Sequence, residues 1–210
     1  MGEEVRRKPR DCGGHGAILA RPHRASYHRR MNTPDEVLAF WFDPATEPNW
    51  WKRSDAFDAT IARRFGTLHA AAMRCELFAW RAGPEGRLAE VIVLDQFSRN
   101  LHRDSPLAFA ADPLALALAQ TAVALGADRA LDVRRRVFLH MPYMHSESRA
   151  IHEEALRLFA SDHSEDNLDF ERRHKAIVDR FGRYPHRNAV LGRESTAEEV
   201  AFLKTAGSAF

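Results

Sequence analysis

Apolar residues recur at helical spacing along most of the chain, and the alternation typical of strands is nowhere convincing. From Ser54 to about Arg74, apolar side chains lie three or four positions apart. An earlier helix begins at Thr33, which can cap the backbone, while Pro34 suits the first helical position and Glu36 can complete a capping box. The pattern predicts an all-α protein of eight to ten helices and no sheet.

Further helix boundaries are marked by prolines, glycines and capping residues. The apolar positions from Leu88 to Leu94 predict a helix with Asp95 and Phe97 at its C-terminal end. A helix from Asp112 should end at Gly126, and its nearly continuous apolar character predicts a central, buried position. Pro142 should end the following helix, and the stretch from His140 to Ser148 should open the next one. Short turns favour antiparallel helical hairpins.

Size and charge divide the chain into two parts. With 210 residues, 45% of them hydrophobic, residues 31–210 can form one all-helical domain. Residues 1–30 carry eight basic and three acidic side chains, whereas the whole chain has a formal charge of only +2, so the remainder is mildly acidic. We expect residues 1–30 to be a disordered basic tail or the product of a start codon assigned too early.

Composition excludes several classes of protein. The acidic body disfavours nucleic acid as a partner, and two cysteines, Cys12 and Cys75, cannot form a disulfide framework. No secretory signal is visible, and the apolar run Leu114 to Leu125 is shorter than the roughly 20 residues of a membrane helix. We therefore expect a cytoplasmic protein with no nucleic-acid or membrane partner.

Two similar arginine- and histidine-rich corners contain the candidate binding residues. Both have the pattern D-x-F-x-R-x-x-H-R, the first beginning at Asp95 and the second at Asp179. Glycine and proline interrupt the second corner, which favours a shaped loop over a solvated helix. The candidate binding residues in and just after the corners are Arg99, His102, Arg103, Arg183, Arg187, Asn188 and Arg193, together with the histidine His186.

Arginines in such corners can bind carboxylate or phosphate through two parallel hydrogen bonds. If the two corners converge, they would form a pocket for an anionic small molecule or an acidic peptide end. The alternative is structural: Asp95 and Asp179 could pair with these arginines, which would then only stabilise the ends of helices.

A second group of candidate residues surrounds His145 and Glu147. His145 or His186 could act as a general acid or base beside a carboxylate such as Glu147. A metal site built from His145, His152 and Glu147 or His174 is an alternative, but the spacing H-E-x-x-H is absent. No nucleotide-binding or nucleophile-elbow motif is present, so we predict no metal and no cofactor.

Several longer motifs resemble a known bacterial family. VLAFWF (37–42), VIVLDQFSRN (91–100), FLHMPYMHSES (138–148) and HKAIVDRFGRYPHRN (174–188) are similar to the family catalogued as domain of unknown function 924. The resemblance spans about residues 33–205 and implies an all-α fold similar to tetratricopeptide-repeat proteins. It implies no reaction. Family members usually read D-Q-F-P-R-N and P-L-x-H-S-E, whereas this sequence has Ser98 and Tyr143-Met144.

Two functional hypotheses follow. In the first, the protein is a module that binds an anionic small molecule or acidic peptide through the two corners. In the second, it is a hydrolase or transferase acting on a phosphorylated or carboxylated substrate, with a histidine as acid or base. The absence of an established catalytic motif and the concave surfaces of helical-hairpin arrays favour the module.

Overall fold

Helices form all the regular structure in the part of the chain that the computed structural model describes, which is Met1, residues 32–162 and residues 164–208. This arrangement confirms the predicted all-α fold. Met31–Phe210 form one compact unit, and the predicted basic tail lies, apart from Met1, outside the described residues. The α-helices are α1 (Pro34–Trp41), α2 (Asp55–Met73), α3 (Pro84–Ile92), α4 (Ser98–Leu101), α5 (Asp112–Ala124), α6 (Val133–Met144), α7 (Arg149–Ser161), α8 (Glu165–Phe181) and α9 (Ala197–Phe202).

The first helix begins as its sequence predicts. Thr33 accepts a hydrogen bond from the backbone of Glu36 at 3.3 Å, and the Glu36 carboxylate accepts one from the Thr33 N–H at 2.8 Å. This capping box satisfies two N–H groups that have no partner inside the helix. The same arrangement at Thr196 and Glu199 starts α9.

Aromatic side chains hold the first helices together. Trp41 of α1, Phe65 of α2 and Phe97 are fully buried, with the Phe97 ring 5.7 Å from Trp41 and 5.1 Å from Phe65. Phe138 of α6 meets Trp41 edge-on at 5.6 Å. Aromatic pairs in these geometries add stabilisation beyond the area they bury, so they fix the position of Phe97 and of the turn that carries it.

The helix that carries Asp95 does not end there as predicted. It passes from α3 through a π-helical turn, Val93–Phe97, into α4 and ends at Leu101. A π-turn holds one more residue than an α-turn and is often found at functional sites. Asp95 and Gln96 are both buried in this turn.

The Ala/Leu-rich helix α5 ends as predicted but lies less deep than its sequence suggests. Gly126 has a φ of +69° after the helix end. The fully buried side chains of α5 are Ala115, Ala119 and Ala122, whereas Leu125 is 64% exposed. Alanines allow close packing against α3 and α6. Leu114, Leu116 and Leu118 are half-buried and pack against the core, so α5 is not buried on all sides as predicted. By length and composition alone, Pro106–Ala124 could cross a membrane, with a mean hydropathy of 1.5 over a window that is 28% buried.

Proline does not end α6. The helix continues through Pro142 to Met144, His145 is its C-cap, and α7 begins only at Arg149. A proline inside a helix removes one backbone hydrogen bond. Met141, Pro142 and Met144 are all buried, and their burial offsets that cost, so the predicted stop at Pro142 is wrong. The helix that the stretch from His140 to Ser148 should open begins directly after it, at Arg149.

Candidate functional site

Asp95 joins the first corner to His145. The Asp95 carboxylate lies 2.7 Å from Nδ1 of His145 and 3.2 Å from the Arg99 guanidinium, and it accepts a 2.6 Å hydrogen bond from Gln96. Asp95 is fully buried. Burial raises the pKa of its carboxyl, but Arg99 and His145 outweigh it and hold the pKa below its usual value. Asp95 is therefore ionised and fixes the orientation of the His145 ring.

A second carboxylate, Asp112 at the start of α5, links the two corners. Arg99 donates to both Asp112 oxygens, at 3.0 and 3.1 Å. Arg187 of the second corner donates to the same carboxylate at 3.2 Å. Two arginines thus share one carboxylate. We call Asp95, Arg99, Asp112, His145 and Arg187 the charged cluster.

Arg187 has unused hydrogen-bonding capacity. Its guanidinium lies 4.6 Å from the ring centroid of Phe109 and 4.6 Å from that of Tyr184, and the residue is only 7% exposed. Among the described residues, its buried Nε has no hydrogen-bond partner. Burial and the neighbouring Arg99 lower the pKa of Arg187. Buried polar groups are nearly always paired, so this Nε is a candidate donor to a bound group.

Tyr184 connects the charged cluster to the helices beneath it. Its hydroxyl donates to the carbonyl of Met144 at 2.6 Å and lies 3.1 Å from Nε2 of His152. His152 in turn pairs with the buried Glu171 at 2.7 Å. The cluster thus rests on a layer of buried, hydrogen-bonded polar groups, which restricts the positions of its side chains.

Glu147 fixes the loop that carries Arg187. It accepts two hydrogen bonds from the Arg193 guanidinium, at 2.6 and 2.9 Å, and one from the Tyr184 backbone N–H at 2.8 Å. All these bonds hold the loop to the segment between α6 and α7. Glu147 is thus used as an anchor for Arg193 and Tyr184, and His145 takes its carboxylate partner from Asp95 instead.

Three histidines lie in or beside the charged cluster. Burial lowers the pKa of His186 to about 4, with a further contribution from Arg187, and lowers that of His174 to about 3. Burial and Arg99 also lower the pKa of His145, although Asp95 opposes them. These imidazoles are neutral near neutral pH, and the surrounding arginines disfavour further positive charge.

The remaining predicted binding residues lie away from the cluster. Arg103 pairs with Asp58 of α2, and the His102 ring lies 5.4 Å from that of His69. Arg183 pairs with both oxygens of Glu199, at 2.7 and 2.8 Å, and docks α9. The Asn188 side chain donates to Ser195 at 3.0 Å within its own loop.

The two corners are therefore not structural equivalents. Asp95 pairs with Arg99 as the structural alternative expected, but Asp179 pairs with Lys175 and leaves Arg183 to Glu199. The first corner continues as a helix through its π-turn, whereas the second breaks at Gly182 in the left-handed conformation. Arg99 and Arg187 meet at Asp112. They are not equivalent, because Arg99 is the first arginine of its corner and Arg187 is the second arginine of the other.

Sequence reasoning missed Asp112 of the charged cluster and the two aromatic residues that contact Arg187, Phe109 and Tyr184. The sequence pattern indicates only a helix start at Asp112 and predicts no role for Phe109 or Tyr184. Asp112 contacts Arg99, which lies 13 residues before it, and Arg187, which lies 75 residues after it. Spacing along one element cannot reveal such contacts, and the sequence offers no other signal for them.

A groove of about 400 Å³ lies between α1 and α6, apart from the charged cluster. None of the predicted site residues lines it; its lining consists of Leu38, Ala39, Phe42, Asp132, Arg134 and Arg135. Buried groups with perturbed pKa values indicate a functional site more directly than shape alone, so the charged cluster is the better candidate. Within the described residues, no group of three or more His, Cys, Asp or Glu is arranged to hold a metal ion.

Comparisons with known proteins identify relatives of unknown activity. The family model described as a bacterial protein of unknown function, DUF924, matches residues 37–207. The solved structure of ATU0120, a protein of unknown function from Agrobacterium tumefaciens, is 38% identical, with a TM-score of 0.77. The similarity covers 81% of this chain and 96% of that chain. No curated protein matches.

Proposed function

This chain belongs to the DUF924 family of bacterial proteins of unknown function, and we propose that it binds a phosphate or carboxylate group at the charged cluster. The observation that carries the proposal is the convergence of Arg99 and Arg187 on Asp112, with a buried Arg187 Nε that has no partner among the described residues. An oxyanion is the natural acceptor for such a donor. The ligand is an anionic small molecule or an acidic peptide.

The charges of the cluster support an anion over a cation. Asp95 faces Arg99 and His145, and Asp112 faces Arg99 and Arg187, so each carboxylate already has cationic or hydrogen-bonding partners. The arginines lower the pKa of the nearby histidines. A bound anion would relieve this repulsion, whereas a cation would add to it.

A thermal-shift titration with inorganic phosphate tests the proposal. Phosphate at ten times its Kd should stabilise the protein by about 1.4 kcal/mol, which raises Tm by roughly 3 to 5 °C for a chain of this size. Arg187→Gln should abolish the increment. Arg187→Lys retains the charge without the planar guanidinium and should retain only part of it. Sodium chloride at equal ionic strength corrects for general salt effects.

Arg183→Gln is the matched control, because Arg183 pairs with Glu199 outside the cluster. Its increment with phosphate should equal that of the unmodified protein. The proposal fails if phosphate stabilises Arg187→Gln as much as the unmodified protein, or if it stabilises neither more than chloride does. Repeating the titration with citrate and a short glutamate-rich peptide separates the small-molecule and peptide ligands.

The contact between Asp95 and His145 favours a second candidate, acid–base chemistry on a phosphorylated or carboxylated substrate. A buried carboxylate 2.7 Å from Nδ1 orients the ring and stabilises its protonated form. We expect hydrolysis of p-nitrophenyl phosphate or p-nitrophenyl acetate, with kcat lowered at least about 100-fold in His145→Gln. A rate that His145→Gln leaves unchanged, or no hydrolysis, would remove this candidate.

We propose further that the helical hairpins are arranged as in tetratricopeptide-repeat proteins. The most extensive contacts between helices are those of α7 with α8 and of α6 with α7, which are neighbours in sequence. Consecutive helices that pack on one another are the unit of such arrays. Small-angle scattering and a crystal structure would test whether the packing forms a concave surface beside the charged cluster.

A further inference from the structure

The hydrogen bond from His145 to Asp95 determines which ring nitrogen carries the proton. Asp95 is buried and ionised, so its oxygen can only accept a hydrogen bond. Nδ1 of His145, 2.7 Å away, must therefore be the donor. In the neutral imidazole the other nitrogen, Nε2, then has a lone pair and no proton.

This tautomer affects the binding of an anion. The two nitrogens lie on opposite sides of the ring, so Nε2 faces away from Asp95. A lone pair repels the oxygen of a phosphate or carboxylate, whereas an N–H at the same place would donate to it. An anion beside His145 thus gains a hydrogen bond only if Nε2 takes up a proton.

We propose, on the basis of the anion site described above, that binding of the anion is coupled to the uptake of one proton at Nε2 of His145. The proton comes from solvent, a new N–H bond forms at Nε2, and the proton returns to solvent when the anion leaves. Asp95 stabilises the imidazolium through Nδ1. The anion supplies a second negative charge on the opposite side of the ring.

Charged and titratable groups face His145 from several elements. They are Asp95 on the π-turn, Arg99 on α4, Asp112 on α5, His174 on α8 and His186 on the loop between α8 and α9. Arg99 opposes protonation of His145, whereas Asp95 and Asp112 favour it. An anion that pairs with the arginines weakens the opposing effect and so favours protonation of His145.

His174 and His186 are less suited to this role. Nδ1 of His174 already bonds to the carbonyl of Phe170 at 2.7 Å. Burial is the largest cause of the lowered pKa at all three histidines, so it does not distinguish them. His145 has a hydrogen bond to the Asp95 carboxylate. A carboxylate at that distance favours the imidazolium.

Isothermal titration calorimetry with sulfate tests this coupling. Sulfate stays fully ionised near neutral pH, so any proton exchanged with the buffer comes from the protein. Titrations in buffers with different ionisation enthalpies should show uptake approaching one proton per sulfate. Between about pH 6 and 8, Kd should rise about tenfold per pH unit wherever one proton is taken up.

His145→Gln provides the decisive comparison, because its amide can donate to sulfate without taking up a proton. It should bind sulfate with no net proton uptake and with a Kd that changes little with pH. His102→Gln is the control, since His102 lies beside His69 outside the cluster, and it should behave as the unmodified protein does. The ¹⁵N chemical shift of His145 Nε2 in the unmodified protein, with and without sulfate, reports directly whether Nε2 takes up a proton.

The outcomes separate this inference from the anion site itself. Sulfate binding whose heat is independent of buffer would overturn the coupling and leave the anion site standing. Retention of proton uptake in His145→Gln would also overturn it, by assigning the proton to another group. A complete lack of sulfate and phosphate binding would overturn both proposals together.

Discussion

Tyr184 is the residue on which the charged cluster rests. Its ring lies under the Arg187 guanidinium at 4.6 Å and edge-on to His174 at 5.8 Å. Its backbone N–H binds Glu147, and its hydroxyl binds the Met144 carbonyl. One fully buried residue therefore positions groups from α6, α8 and the loop between α8 and α9.

Removing the Tyr184 hydroxyl should measure this role. Tyr184→Phe leaves the buried Met144 carbonyl without its 2.6 Å donor, which should lower the free energy of unfolding by about 1 to 3 kcal/mol. Tyr143→Phe is the control, because no hydrogen bond of the Tyr143 hydroxyl is found within the described residues, and we expect a change below about 0.5 kcal/mol. Urea denaturation of both variants gives the comparison; equal effects would refute the role assigned to Tyr184.

The buried His69 predicts how stability depends on pH. Burial and the neighbouring His102 lower the pKa of His69 from 6.5 to about 4. The folded state therefore binds fewer protons than the unfolded state between these values, so stability is present above about pH 6.5 and falls as the pH falls toward 4. His69 should account for about 2 to 3 kcal/mol of that fall.

His69→Gln isolates this contribution, since His174 and His186 change stability in the same direction. The measurement is the free energy of unfolding at about pH 7 and pH 4.5 for both proteins. The loss on acidification should be smaller in His69→Gln. An identical loss would show that His69 does not titrate as its burial predicts.

At the scale of the element, α3 is fitted closely against the turn before it. A Cβ on Gly86 would lie 2.0 Å from the backbone oxygen of Trp80, in the 3₁₀ turn Phe78–Ala82. Only glycine allows this approach. The approach sets where α3 begins and so helps to set the position of the π-turn at its other end.

Two glycine substitutions should have opposite effects. Gly86→Ala forces the backbone of α3 or of Trp80 to move and should destabilise the protein by about 3 kcal/mol or more. Gly66→Ala on α2 meets no atom within 4 Å and should stabilise by about 0.5 to 1 kcal/mol, because alanine is the better helix former. Thermal unfolding of both variants tests this, and a tolerated Gly86→Ala would contradict the packing of α3 on Trp80.

Helices with local signals could be predicted from the sequence. The capping box at Thr33 and the end of α5 at Gly126 depend on neighbouring residues alone, and both were predicted correctly. Pro142 and the π-turn at Asp95 were not. Both cost backbone hydrogen bonding locally, and burial against distant helices offsets that cost, so no local pattern indicates them.

At the scale of the whole molecule, the cluster joins segments that are far apart in sequence. Asp95 comes from the π-turn, Arg99 from α4 and Asp112 from α5. His145 comes from the end of α6, and Arg187 from the loop between α8 and α9. The repeated corner pattern contains both Arg99 and Arg187, which meet at Asp112. It could not show that Asp112 would link them, or that Arg103 and Arg183 would pair with Asp58 and Glu199 elsewhere.

The central claim is that Arg99 and Arg187 form a single oxyanion site, and a crystal of the protein grown with selenate tests it most directly. The anomalous signal of selenium locates the anion without any assumption about its position. We predict a peak within hydrogen-bonding distance of the Arg187 guanidinium and beside His145. Selenate found only at exposed arginines such as Arg180, with none at Arg187, would contradict the account.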